Sequence, residues 1–240
     1  MSSSGLCTFL PWDSDFFGVR IARLDVHRLD DRVVSSASEW CRQQRIACLY
    51  VLSDPDDSET TLSLERWNAH MTDIRVTLQA SGLGDRGART PVRKSNAADL
   101  PELRNIARDS HRDGRFFFDP RFSRERCESF YETWIARSHE GFADAVLVAE
   151  LNGDPAGYVT CHVDGDSGRI GLFAVGATAR GQGLGKVLVG SAAAWFAGRG
   201  IEKVSVVTQG RNTSAQRLYA RCGFELLSVS IWYHKWFVDE

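Results

Sequence analysis

The segment Arg180-Gly-Gln-Gly-Leu-Gly-Lys186 combines three glycines with two basic side chains. Glycine has no Cβ, so the backbone of such a loop can approach a ligand closely. Its exposed N–H groups, together with the positive end of the helix that follows, suit a pyrophosphate. The spacing therefore predicts a phosphate-binding loop. We assign it to Arg180, Gly181, Gln182, Gly183, Leu184, Gly185 and Lys186.

Other phosphate loops fit this segment poorly. A Walker A loop needs Ser or Thr after Gly-Lys, but Val187 follows Lys186. A dinucleotide-binding loop needs G-x-G-x-x-G, whereas the segment reads G-x-G-x-G and comes late in the chain. The remaining alternative is that the glycines only form a tight strand-to-helix turn.

A second block, residues 212–224, places a tyrosine on a short helix. Asn212 is a good N-cap, and Gly223 is a good C-terminal stop. Tyr219 follows Asn212 by nearly two full turns, so it projects from the same side of the helix as the cap. A group bound at the helix start could then reach the phenol. The alternative is a core tyrosine that packs on the sheet.

Hydrophobic patterns predict the elements around these blocks. Hairpin signals at Asn152-Gly153 and Asp164-Gly165-Asp166 separate the first three strands. Antiparallel hairpins followed by one strand–helix–strand crossover predict a mixed α/β (α+β) sheet whose crossover strands are parallel. The predicted strands are Ala145–Glu150, Ala156–Val163, Arg169–Val175, Val204–Thr208 and Phe224–Trp236, and the predicted helices are Gly183–Ala197 and Thr213–Cys222.

The polar, glycine-rich stretch 81–90 predicts a joint between two domains. We place a smaller N-terminal α/β domain, an acceptor-side module, at residues 1–88 and the catalytic domain at 89–240. In the first we predict a helix near Val33–Arg45 and a strand at Ala47–Leu52. The second should begin with a strand at Thr90–Arg93, followed by a helix at Ala98–Asp109 and another from Ser123.

Composition describes an ordinary globular chain, with 43% hydrophobic and 25% charged residues and a formal net charge of −2. This balance gives no reason to expect a nucleic-acid or membrane partner, and the N-terminus carries no export signal, so we expect a cytoplasmic protein. The six cysteines form no CxxC pair and the six histidines are scattered. We therefore expect reduced thiols and no metal site.

The motif Arg180-x-x-Gly183-x-Gly185 resembles the Q/R-x-x-G-x-G/A acetyl-CoA motif of the GNAT superfamily of N-acetyltransferases. Residues 168–175 resemble the fourth strand of that family, and the likeness continues in order from Pro91 to Phe237. It implies acetyl-CoA as co-substrate. It also implies that main-chain groups of Phe173 and Val175 bind the pantetheine arm and the acetyl carbonyl, and that Asn212 belongs to the cofactor site.

The same resemblance implies that Tyr219 is the general acid. A phenol is protonated at neutral pH and can donate to a leaving thiolate. Main-chain N–H groups of the fourth strand would stabilise the oxyanion. The general base stays open, because His162, Asp164, Glu150 and His111 all qualify by type.

Several segments are similar to family members that acetylate the 4-amino group of a dTDP-linked 4-amino-4,6-dideoxygalactose. These segments are residues 12–18, 114–119, 130–135, 208–213 and 231–233. The resemblance implies a nucleotide sugar as acceptor, with Arg115 and Phe116 as candidate contacts. For most of the aromatic residues we favour the alternative, which is packing between elements. Another small amine, a protein amine or a non-catalytic acyl-CoA-binding role are the alternatives, and a homodimer stays open.

Overall fold

The computed structural model describes residues 5–82 and 92–237. It confirms a mixed α/β fold. In chain order the strands and α-helices are β1 (Cys7–Phe9), α1 (Pro11–Phe17), β2 (Ile21–Leu24), α2 (Asp31–Gln43), β3 (Cys48–Ser53), α3 (Ser58–Arg66), β4 (His70–Ser81), β5 (Val92–Lys94), α4 (Leu100–Ser110), α5 (Arg124–Arg137), β6 (Ala145–Leu151), β7 (Asp154–Asp164), β8 (Ser167–Val175), α6 (Leu184–Ala197), β9 (Lys203–Gln209), α7 (Thr213–Arg221) and β10 (Glu225–Trp236).

Every element predicted after residue 92 is present, with bounds that differ by a few residues. Both hairpin signals are also confirmed. Asn152 and Gly153 take φ values of 56° and 92°, as a two-residue turn between twisted strands requires. The predicted strand at Thr90–Arg93 is present as β5, but Thr90 and Pro91 lie outside the described residues. In the first half α2 and β3 were predicted, whereas β1, α1, β2, α3 and β4 were not.

The described chain divides into two compact units. The first holds residues 5–75, 114–123 and 229–237, and the second holds 76–82, 92–113 and 124–228. The boundary predicted near residue 88 falls outside the described residues. The grouping also differs from the predicted domains, because segment 114–123 and the end of β10 belong with the N-terminal residues.

Two sets of contacts explain this grouping in the first unit. Strand β10 pairs antiparallel with β3 from Ile231 to Trp236, and β2 pairs parallel with β3. Asp119 is buried and accepts hydrogen bonds from His234 Nδ1 at 2.7 Å and Trp236 Nε1 at 2.8 Å. Segment 114–123 is thereby fixed to β10.

The second unit holds the predicted crossover. Its strands follow the order β4-β9-β8-β7-β6-β5, and β8 and β9 are parallel as predicted. Helix α6 joins them. Its Leu188 and Phe196 are fully buried in a cluster with Val159, Ile170 and strand β9. Burial of these apolar side chains is the main stabilising contribution to this unit.

A β-bulge interrupts the pairing of β7 with β8. Val159 pairs with Phe173 and Cys161 with Ile170, so Gly171 and Leu172 both lie opposite Thr160. The Thr160 hydroxyl, fully buried, accepts from the Leu172 amide at 2.8 Å. Gly171 has to lack a side chain here, because a Cβ would lie 2.5 Å from His162 Nε2.

The bulge marks the point where β8 separates from β9. Their paired residues end at Ile170 opposite Val206, yet β8 continues to Val175 and β9 to Gln209. A bulge bends its strand and increases the local twist. The parallel pair therefore opens toward its carboxyl end, which is where ligands bind in sheets of this kind.

All six cysteines lie in described residues and are buried as free thiols. Across residues 5–82 and 92–237, no group of His, Cys, Asp and Glu could hold a metal ion. No helix in this part of the chain combines the length and the apolar character needed to cross a bilayer.

We expect Thr160→Val to destabilise the protein by about 1–3 kcal/mol. Valine keeps the shape of threonine but leaves the buried Leu172 amide without an acceptor. Urea denaturation measures the loss of stability. Thr160→Ser is the matched control, because it keeps the hydroxyl. Equal losses in both variants would mean that packing of the methyl group matters more than the hydrogen bond.

Candidate active site

Beyond Ile170 and Val206, β8 and β9 are no longer paired, and we call the space between them the gap. It exposes main-chain groups of β8. The amides of Leu172 and Gly176 both donate toward β7. Because successive N–H groups of a strand point to opposite sides, those of Phe173 and Val175 point away from β7 and into the gap. Both residues are half-buried. The cofactor-binding role that the family resemblance implies for these main-chain groups stays a prediction.

The glycine-rich loop follows at the end of β8. Gly181 and Gly183 have φ values of 79° and 83°, in the left-handed region that glycine adopts without strain. Gly183 is the N-cap of α6, and its carbonyl accepts from Lys186 and Val187. The amides of residues 181–183 donate to no main-chain carbonyl within the described ranges. They are available to an anion.

The remaining loop residues differ in what they can offer. The Leu184 side chain is buried in the core, so only its amide could reach a ligand. Gly185 and Lys186 lie in the first turn of α6, and the Lys186 side chain is exposed. Gln182 donates from Nε2 to the Thr178 carbonyl at 3.2 Å, which fixes the turn before the loop.

Arg180 folds back toward β8. Its Nε donates to the Val175 carbonyl at 3.2 Å and its Nη2 to Ser110 Oγ at 3.4 Å. In the part of the chain that the structure describes, neither Arg180 nor Lys186 forms an ion pair with a carboxylate. Free amides, a helix N-terminus and two uncompensated cations fit a diphosphate.

Tyr219 lies at the other side of the gap, on α7. Its ring meets the Phe173 ring edge-on at 5.9 Å between centroids. The side chain is 3% exposed, and burial raises the pKa of the phenol above its usual value of about 10. The hydroxyl is therefore a proton donor at neutral pH. β8 and α7 thus bring the Tyr219 ring against the side chain of Phe173, one of the two residues whose main chain faces the gap.

Asn212 caps α7 as predicted. Its side-chain oxygen accepts from the Ala215 amide at 3.1 Å. Seven residues of helix separate it from Tyr219, a rise of about 10 Å. The two residues thus mark the ends of α7 and do not touch.

The four residues considered as a base occupy different environments. Glu150 pairs with Arg93, and Asp164 is exposed at a hairpin. His162 is buried over Gly171, with Nε2 3.3 Å from Thr160 Oγ1. Only His111, which directly follows α4, is held near the end of β8.

His111 pairs with a residue that sequence reasoning missed. Its Nε2 lies 2.9 Å from Tyr158 Oη, and its ring stacks on Tyr131 at 4.7 Å and 15°. Tyr158 is fully buried on β7, opposite Ala174 of β8. Burial lowers the pKa of His111 to about 4 and raises the pKa of Tyr158. Tyr158 is a single tyrosine within an apolar strand, so the sequence did not indicate that it would contact His111.

Arg115 and Phe116 lie in the first unit. The Arg115 guanidinium carbon is 4.1 Å from the Tyr50 ring centroid and 4.2 Å from that of Trp232. Phe116 is 4% exposed and packs against Phe17, so its ring is part of a core.

Three buried polar atoms near this core have no hydrogen-bond partner among the described residues. They are Arg115 Nη1, Tyr50 Oη and His234 Nε2. Asp13 acts on Arg115 electrostatically, but burial dominates and raises the pKa of its carboxyl. Buried guanidinium groups are normally paired. Arg115 is therefore a good candidate to bind an anion.

Comparison with known proteins shows the family to which the chain belongs. A family profile described as "Acetyltransferase (GNAT) family" matches residues 100–224. The chain is 26% identical over 231 residues to dTDP-fucosamine acetyltransferase of Escherichia coli O6:H1, over 94% of this chain and 96% of that protein. It is 29% identical over 138 residues to the spore coat polysaccharide biosynthesis protein SpsD of Bacillus subtilis, over 58% of this chain and 48% of that one.

A solved structure of similar fold is a GCN5-related N-acetyltransferase from Sphaerobacter thermophilus. It aligns with a TM-score of 0.64 at 15% identity, over 96% of this chain and 76% of the other. The family match spans α4 to α7 and so includes the opened strand pair, the 180–186 loop and Tyr219. The chain belongs to the acetyltransferase (GNAT) family and is an acyltransferase.

Proposed function

We propose that the protein transfers the acetyl group of acetyl-CoA to the primary amine of a nucleotide-linked amino sugar. The most specific candidate is a dTDP-linked 4-amino-4,6-dideoxy sugar. The observation that carries the choice of acceptor is the similarity to dTDP-fucosamine acetyltransferase, which extends over nearly the whole of both chains. A match to the shared cofactor domain alone would not favour any acceptor.

The second unit supplies a place for acetyl-CoA. The amides of residues 181–186 would receive the diphosphate, with Arg180 and Lys186 adding charge. The main-chain groups of Phe173 and Val175 would bind the pantetheine arm and the acetyl carbonyl. We assign Asn212 to the same site, since the side chain that caps α7 retains an amide N–H₂ group.

The chemistry follows from where charge develops. As the amine attacks the thioester carbonyl, the carbonyl oxygen becomes negative, and a strand amide in the gap would stabilise it. The bond to sulfur then breaks. The Tyr219 O–H is the proton donor to the leaving sulfur, because burial keeps the phenol protonated.

Arg115 is proposed to bind a phosphate of the acceptor. A guanidinium group between two rings, with a buried Nη1 that lacks a partner, suits an anionic group. Phe116 would contribute through Arg115, whose guanidinium carbon is 4.7 Å from its ring centroid, because the ring itself is buried.

A thiol-release assay with an acceptor panel tests the proposal. Wild-type protein and acetyl-CoA are combined with a dTDP-linked amino sugar, the free amino sugar, amino acids, polyamines and a peptide. We expect the highest kcat/KM with the dTDP-linked sugar. A preference for a free amine or a peptide would contradict the proposed acceptor but leave the proposed acetyl transfer standing. Acetyl-CoA binding without release by any amine would contradict both.

We predict that Tyr219→Phe lowers kcat at least tenfold and changes the Kd for acetyl-CoA by less than about twofold. Phenylalanine keeps the packing against Phe173 but cannot donate a proton. Steady-state kinetics and calorimetry provide the two numbers. Parallel losses of affinity and rate would show that Tyr219 acts by packing.

We predict that Arg115→Gln raises the KM for the dTDP-linked sugar about tenfold or more, with kcat and the KM for acetyl-CoA nearly unchanged. A hydrogen bond to a charged group contributes roughly 1.5–3 kcal/mol. Arg121→Gln is the matched control, since Arg121 also lies over a ring, 5.2 Å from the Trp236 centroid. An equal KM in both variants would remove Arg115 from the acceptor site.

A further inference from the structure

The described structure has a second polar pair beside the gap, on the sheet face opposite Tyr219. Cross-strand neighbours share a face, so Phe173 and Val159 lie on one face of the sheet, and Tyr158 and Ala174 on the other. Tyr219 meets Phe173 and therefore lies on the first face. His111 meets Tyr158 and therefore lies on the second.

The segment that carries His111 is fastened at both edges of the gap. Ser110 Oγ accepts from Arg180, which also holds the end of β8 through the Val175 carbonyl. The Asp113 carbonyl accepts from Arg211 at 3.1 Å, just beyond the end of β9. His111 lies between these two attachments. Residues 110–113 therefore cross from one separated strand to the other.

The orientation of the His111 ring leaves one nitrogen available. Nε2 bonds to the Tyr158 hydroxyl, whereas Nδ1 has no partner among the described residues, and the ring is half-buried. Tyr131 and Tyr158 are the titratable side chains packed against it, and Arg180 and Arg211 are the cations that hold its neighbours. In such pairs the bonded nitrogen fixes the tautomer and orientation of the ring.

We propose that His111 is the general base of the reaction and that Tyr158 is the residue that positions it, which rests on the proposed acetyl transfer. Nε2–H donates to Tyr158 Oη, and Nδ1 accepts a proton from the attacking amine. The N–H bond breaks as the carbon–nitrogen bond forms, and the carbon–sulfur bond breaks as Tyr219 donates its proton to sulfur. Afterwards His111 releases a proton to solvent and the Tyr219 phenolate takes one up, so protons balance.

The placement of base and acid on opposite faces suits this reaction. The nucleophile arrives at a thioester carbonyl from one side, and the leaving sulfur is protonated elsewhere. An opening between two strands gives access from both faces of the sheet. A neutral imidazole is an acceptor at rest, and the attacking nitrogen becomes more acidic as it gains positive charge.

The test compares kcat/KM from pH 6.5 to 9.5 for wild type, His111→Gln and Tyr158→Phe, with the dTDP-linked amino sugar that the acceptor panel selects. His111→Gln should lower the rate about 100-fold at pH 7, the lower end of typical general-base effects. The deficit should shrink as pH rises, because hydroxide can then take the proton that Nδ1 of His111 would otherwise accept. The Kd for acetyl-CoA should not change.

Tyr158→Phe should lower kcat/KM by a smaller factor, and this loss should also shrink as pH rises. If His111→Gln does not fold, Tyr158→Phe serves as the test variant. His139→Gln is the matched control, a half-buried histidine of the same unit whose Nδ1 contacts the Ser95 hydroxyl at 2.8 Å. A deficit that stays constant with pH, or a parallel loss of acetyl-CoA binding, overturns the base assignment while the acetyl transfer stands. A wild type without thiol release overturns both.

Discussion

The hydrogen bond from the Leu172 amide to the Thr160 hydroxyl is the constraint on which the site depends. Two residues of β8 oppose one of β7 at this point, and the extra amide would be left buried without an acceptor. The threonine hydroxyl satisfies it, at 0% exposure. Because the bulge is stable, β8 can leave β9 after Ile170 without losing its ladder with β7. A regular ladder would have closed the gap and occupied the main-chain groups of Phe173 and Val175.

The opened strand pair also explains how the proposed site could draw on two faces of one sheet. Tyr219 reaches the gap from the α6 and α7 side, and His111 from the α4 side. Arg180 contacts both the end of β8 and the segment that carries His111. A diphosphate at the loop would therefore bind next to a side chain that also helps to hold His111. Arg180 would therefore both add positive charge at the loop and help to position the segment that carries His111.

The sequence predicted the second unit well because its signals are local. Asn152-Gly153 fixes a hairpin, Asn212 caps a helix, and an apolar helix follows the glycine loop. The bulge could not be predicted, since it depends on Thr160 and Gly171 meeting across two strands. The Tyr158 partner of His111 was missed for the same reason, being 47 residues away in the chain.

The first unit was harder because its contacts are more distant and its strands shorter. Strands β1 and β2 have three and four residues, too few for a clear alternation. In the part of β4 that belongs to the second unit, by contrast, Val76, Leu78 and Ala80 alternate inward, a period-two signal that could have been found. The placement of segment 114–123 follows from Asp119, whose partners lie 115 and 117 residues away. No sequence pattern could anticipate that pairing.

Burial sets the protonation states of both the proposed acid and the proposed base. Removing a group from water disfavours its charged form, so the pKa of a buried phenol rises and that of a buried imidazole falls. Tyr219 is thus held protonated and His111 neutral, each in the form that its role requires at neutral pH. Because burial shifts both pKa values in the required directions, neither Tyr219 nor His111 needs a charged partner in the resting enzyme. Arg180 and Lys186 at the loop are exposed, and the proposed ligand would bring the negative charge that balances them.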